Sequence, residues 1–197
     1  MKSKVTFAVV AAFALILSSC GQKPENPHSR TLFKLADQDC QIVENKSLRT
    51  ENGTATGEGK FLCPKALRTN SNEFTIHGTF EKGGSLSLIA HSAKEDLSSG
   101  LKVTLSVGSD GKATVEVAGK KKTLEVSPLP DTIVIRVLAH GSHTHVEVIS
   151  GGQEAEIHYD GVVNGDYWGI SIESLRGVTI RRAEVKAVDN ANPGAHH

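Results

Sequence analysis

The densest set of chemistry-bearing side chains runs His140-Gly-Ser-His143-Thr-His145-Val-Glu147. In an extended strand residues two apart share a face, so His143, His145 and Glu147 project together while Thr144, Val146 and Val148 point the other way. Two imidazoles spaced His-x-His can chelate one metal ion such as zinc, with the Glu147 carboxylate or His140 as a third ligand. A hairpin face on which these residues are simply solvated accounts for the same spacing.

Upstream, Arg136 is out of phase with the apolar Ile133, Ile135 and Val137; downstream, Glu156, His158 and Asp160 alternate with Ala155, Ile157 and Tyr159. Tight pairing would bring Arg136, His143, His145, Glu147 and His158 onto one sheet face. That is the make-up of a shallow carbohydrate or peptide groove, and equally of an exposed antiparallel sheet face. Tyr159, Tyr167 and Trp168 cluster around Asp160-Gly-Val-Val-Asn-Gly-Asp166. Tyr159 and Trp168 could stack on sugar rings, and Asp160, Asn164 and Asp166 could ligate Ca2+ together with backbone oxygens. The alternative is a core Trp168 beside a polar turn.

Such residues need a sheet to position them, and the chain is strand-forming throughout. Leu101, Val103, Leu105 and Val107 alternate with Lys102, Thr104 and Ser106, a period of two. The same period recurs at 74–80, 86–90, 113–117, 133–137, 144–148, 155–159 and 168–172, with turn signals at Gly83-Gly84, Ser109-Asp110-Gly111, Ala118-Gly119, Gly141 and Gly151-Gly152. The Gly/Thr/Glu-rich stretch 51–59 reads as a loop, and Lys60–Cys63 as a strand that Pro64 ends. Val178 and Ile180 are on one phase and Ala183 and Val185 on the other, so a bulge is expected at Arg181-Arg182. No stretch carries a helical apolar stripe. About a dozen short strands with frequent turns predict an all-β antiparallel two-sheet sandwich.

With 22 basic and 22 acidic side chains, the chain has no basic excess to attract nucleic acid. There is no Gly-x-Ser-x-Gly elbow and no phosphate loop, and Glu154, Glu156 and Glu173 lack the spacing of a paired-carboxylate site. Lys120-Lys121-Lys122 reads as a solvated hairpin tip. The sequence therefore leans away from an enzyme, and no cofactor is required.

The run of hairpins from Phe74 to Val188, the Leu-Lys-Val-Thr-Leu-Ser-Val strand and the late Gly169-Ile-Ser-Ile-Glu block resemble the concanavalin A-like (laminin-G-type) jelly roll. That resemblance implies two packed sheets, with a first strand near Thr31–Leu35 pairing with the last. The glucanases of this fold use a Glu-x-Asp-x-x-Glu strand, which is absent. The histidine row also departs from the metal-binding cupin pattern, since Val137 and Ile149/Ser150 stand where that pattern needs Gly and Glu.

At the N-terminus, Lys2 and Lys4 precede an apolar run from Val5 to Leu17, which makes a secretory signal too short to span a bilayer. Its end, Leu17-Ser-Ser-Cys20, resembles the lipobox of bacterial lipoproteins, which implies cleavage after Ser19, lipidation of Cys20 and a membrane partner through the lipid. Gly21 in place of Asp implies the outer membrane. The division is then 1–19 signal, 20–30 lipidated Cys and tether, 31–188 a single sandwich and 189–197 a tail. In that oxidising compartment Cys40 and Cys63 form an even pair, and a disulfide between them is expected. The function expected first is a non-catalytic envelope lipoprotein binding carbohydrate or another envelope component. The alternatives are a metal-assisted glycan hydrolase using His143, His145 and Glu147, and a structural lipoprotein docking a protein partner.

Overall fold

Alternation of apolar and polar residues becomes fifteen strands in the computed structural model, which describes residues 31–188 and has no helix among them. The signal, Cys20, the tether and the tail lie outside the described residues. In chain order the strands are β1 (Thr31–Leu35), β2 (Gln38–Asn45), β3 (Arg49–Glu51), β4 (Thr54–Thr56) and β5 (Gly59–Leu62). Next come β6 (Asn72–Phe80), β7 (Ser85–Ser92), β8 (Leu101–Val107), β9 (Ala113–Val117) and β10 (Lys120–Leu124). The last are β11 (Thr132–His140), β12 (His143–Ser150), β13 (Gln153–Tyr159), β14 (Tyr167–Ile172) and β15 (Val178–Ala187). They form an eight-stranded sheet, β1-β2-β5-β14-β7-β8-β9-β10, and a seven-stranded sheet, β13-β12-β11-β6-β15-β4-β3, with every pairing antiparallel.

The inner faces of the two sheets form one core. Phe74, Ile76, Ile133, Ile135, Val146 and Val148 come from the seven-stranded sheet, and Phe61, Leu88, Val103, Leu105, Val115 and Ile170 from the eight-stranded one. Trp168 is at its centre, 1% exposed, with its ring centroid 5.1 Å from that of Phe74. Its indole Nε1–H donates to the Lys65 carbonyl at 2.7 Å, so the one polar atom it buries is satisfied.

Of four expectations, three need correcting and one is met. First, β1 pairs with β2, not with the last strand: a two-residue turn, with Ala36 at φ 59°, folds it back as a hairpin at the sheet edge. Second, 51–59 is not a loop. Asn52-Gly53, at φ 49° and 74°, makes the positive-φ turn that a tight hairpin requires, and β3 and β4 flank it. Third, the bulge expected near Arg181 is present, as the β15–β6 register shifts between Ile180 and Arg182. Fourth, no Cys40–Cys63 disulfide is formed; both residues are free, buried thiols. Continuing the register Gln41↔Leu62 sets the two directly across from one another. They meet there as a thiol–thiol hydrogen bond instead of a covalent bridge, which lowers the Cys40 pKa, while burial pushes the Cys63 thiol well up.

Candidate functional site

Pairing register decides which distant residues become neighbours on the outer face of the seven-stranded sheet. Arg136 on β11 is opposite Glu73 on β6 and Glu147 on β12; Glu147 in turn is opposite Glu156 on β13, and Glu73 opposite Lys186 on β15. One row of charge therefore crosses five strands. Glu73 receives Lys186 Nζ at 2.8 Å and Arg136 Nε at 2.8 Å, and Glu147 accepts from Arg136 Nη1 at 3.3 Å. Burial acts to raise the Glu73 pKa, but the hydrogen bonds from Lys186 and Arg136 outweigh it and hold the carboxyl below the usual range.

The adjacent row is imidazole. His145 is opposite His158, and His143 is on the same face two residues before His145. The Nε2 atoms of His143 and His145 are 3.0 Å apart. Glu156 Oε1 lies 2.9 Å from His145 Nδ1 and 3.2 Å from His158 Nε2. His140 joins from the other side of the β11–β12 turn, its ring centroid 4.5 Å from that of His145. Burial, followed by the nearby His158, lowers the His145 pKa against the opposing pull of Glu156.

The outer face of the eight-stranded sheet is built differently. A row of mostly short side chains, Lys60, Ser171, Ser87 and Thr104, crosses β5, β14, β7 and β8. Ser87 and Thr104 share a hydroxyl–hydroxyl hydrogen bond of 2.7 Å. Along this face runs an open groove of about 680 Å³. Lys60 and Lys46, both paired with Glu44 (3.4 and 3.3 Å), line one side; Leu97, Lys102 and its partner Glu173 line the other. Ser171 and Ile89 lie between them. Leu97 reaches the sheet because Gly169 leaves space: a Cβ there would run into the Leu97 side chain and the Phe61 carbonyl.

No family model and no curated protein matches this chain. Solved structures do match it. A legume lectin-like domain from Entamoeba histolytica superposes with a TM-score of 0.53 at 12% identity, covering 80% of this chain and 97% of that one. The exoplasmic/lumenal domain of VIP36 in a Ca2+/Man2-bound form gives 0.49 at 12% identity, over 76% and 82%. The carbohydrate binding module CBM66 from Bacillus subtilis gives 0.45 at 10%, over 80% and 92%. The fold is a lectin-type jelly roll.

This jelly roll brings together Arg136, His143, His145, Glu147 and His158, as their phases anticipated, but in two partnerships. Glu147 belongs to the Arg136 ion pair. The ligand atoms that converge are those of His143, His145 and His158, all within 4.8 Å of one another. Tyr159 is half-buried and packs against the core, and Trp168 is in the core rather than on a sugar-facing surface. That placement was legible, since Trp168 shares its phase with Ile170 and Ile172. Asp160, suggested for Ca2+, instead pairs with Lys120 Nζ at 2.8 Å. The groove residues Glu44, Lys60, Lys102 and Ser171 have no local signature, because they come from four strands far apart in sequence.

Proposed function

We propose that this chain is a lipid-anchored, non-catalytic β-sandwich of the bacterial envelope that binds carbohydrate in the groove of its eight-stranded sheet. The groove carries the reading. Ser171, Lys60, Glu44, Lys102 and Glu173 offer donors and acceptors to sugar hydroxyls along the open groove. The lectin-type fold makes carbohydrate the first ligand class to test. Cys20 carries the lipid, and ten tether residues reach at most about 35 Å, which keeps the sandwich close to its membrane, the outer one by the Gly21 signal.

A glycan array probed with the purified chain tests the ligand, and Ser171→Arg, which fills the groove, tests the place. Binding that falls about tenfold or more in Ser171→Arg is the expected result. Failure to bind any glycan, or undiminished binding by the filled variant, overturns the reading. Capture of one envelope protein in place of a glycan would reassign the groove to a protein partner. Separately, Cys20→Ser should lose lipid label and leave the membrane fraction.

A further inference from the structure

We infer that His143, His145 and His158 form a binding site for one divalent metal ion of the zinc class, held across strands β12 and β13. The inference is independent of the carbohydrate groove, which is on the opposite sheet. One ligand atom from each histidine lies within 4.8 Å of the others, and the closest pair is 3.0 Å apart. A tetrahedral ion with bonds of about 2.0–2.1 Å to imidazole nitrogen sets its ligand atoms roughly 3.4 Å from one another. The preformed set therefore needs only ring rotations to close on an ion.

Three further observations favour a site over a chance cluster. The backbone that carries it is fixed: His145 and His158 are register partners, and their neighbours Val146 and Ile157 are locked in the core. A carboxylate is in place to orient the ligands. Glu156 accepts from His145 Nδ1, which leaves Nε2, the atom facing His143, as the donor to metal, and the same oxygen reaches His158. The chemistry is also selective, since imidazole nitrogen suits zinc, copper and nickel, whereas Ca2+ and Mg2+ call for oxygen. With three protein ligands on an outward face, the fourth position is open to water or to a group on a bound partner. Glu147, committed to Arg136, is not part of the set.

Equilibrium dialysis of the full chain against Zn2+, with His196→Ala and His197→Ala to silence the tail, followed by metal analysis, should find one ion per chain. His158→Ala is the cleanest variant, because that side chain is exposed and its loss spares the core. It and His145→Ala should weaken binding about a hundredfold, and Glu156→Gln about tenfold. Glu147→Gln should retain the affinity. Far-UV circular dichroism checks that each variant is folded. Absence of stoichiometric metal overturns the assignment, as does undiminished binding by folded His158→Ala, or an equal loss in Glu147→Gln.

Discussion

The two outer faces of the sandwich put polar residues to opposite uses. On the seven-stranded sheet long side chains reach one another: Lys186, Glu73, Arg136 and Glu147 form one chain of ion pairs, and the imidazoles beside them converge on a common point. On the eight-stranded sheet the outward row is mostly small, Ser87, Thr104 and Ser171; Leu97 packs over Gly169, and the long side chains of Lys60, Glu44, Lys102 and Glu173 border the trough that remains at Ser171. Side-chain length at the middle of a sheet thus decides whether its face is filled by its own contacts or left as a trough. A filled face can hold an ion between side chains; a trough has room for a larger molecule.

The comparison breaks first at Gly169. Gly169→Ala should cost about 3 kcal/mol in urea unfolding, because the new Cβ displaces Leu97 and pushes on the Phe61 carbonyl. It should also abolish ligand binding in the groove while leaving the histidine cluster of the other sheet able to bind metal. Loss of metal binding as well would mean that the two faces are not independent.

Next in size is Glu73→Gln on the filled face. Glu73 is 9% exposed and bridges two cations, but those cations are partly solvated, so a loss of about 1–2 kcal/mol is expected, with groove binding unchanged. An effect near zero in the urea midpoint would show the row to be surface decoration.

The third test contrasts the imidazoles. His91, at the end of β7 and at φ 54°, is buried, with Nε2 3.4 Å from Asn72 Nδ2 and Nδ1 3.2 Å from the Gly165 carbonyl. Burial lowers its pKa from the ordinary 6.5, opposed by the Gly165 carbonyl and Asp166. Below that value the unfolded chain takes up a proton that the folded chain refuses. This contribution to stability is therefore complete above about pH 6.5 and is lost as pH falls towards the folded pKa. His91→Asn, which tolerates positive φ, should flatten the acid limb of a stability–pH curve; an unchanged slope would remove His91 from the account.

The smallest expected effect is Ser87→Ala, about 0.5–1 kcal/mol, because only one hydroxyl–hydroxyl bond is lost and Thr104 can turn to water. A larger loss would show the small-residue row of the eight-stranded sheet to be as tightly coupled as the filled face.

Much of this architecture was legible in the chain. The alternation from Leu101 to Val107, the phase slip at Arg181 and the glycine-marked turns carry the sandwich, because a period of two reports burial directly. Asn52-Gly53 was an available hairpin signal hidden by polar neighbours; a three-residue edge strand with no buried side chain, such as Arg49–Glu51, leaves no apolar rhythm to read. For the site, His143 and His145 were legible because one strand holds both. Replacing Glu147 by His158 as the third member needed the β12–β13 register, which depends on the turn between them. The groove needed the order β5-β14-β7, and no local pattern specifies a strand order that brings residue 171 beside residues 60 and 87.

Lys120 gives the sandwich one further property. Its ammonium leaves β10, the last strand of one sheet, and donates to the His158 carbonyl and to Asp160 at the last strand of the other, at 2.8 Å in each case. A terminal strand with free carbonyls is a template on which a neighbouring chain can add itself and start a polymer. Here a cation from across the seam occupies one of those carbonyls and places a charge beside it. That charge disfavours strand addition along this seam.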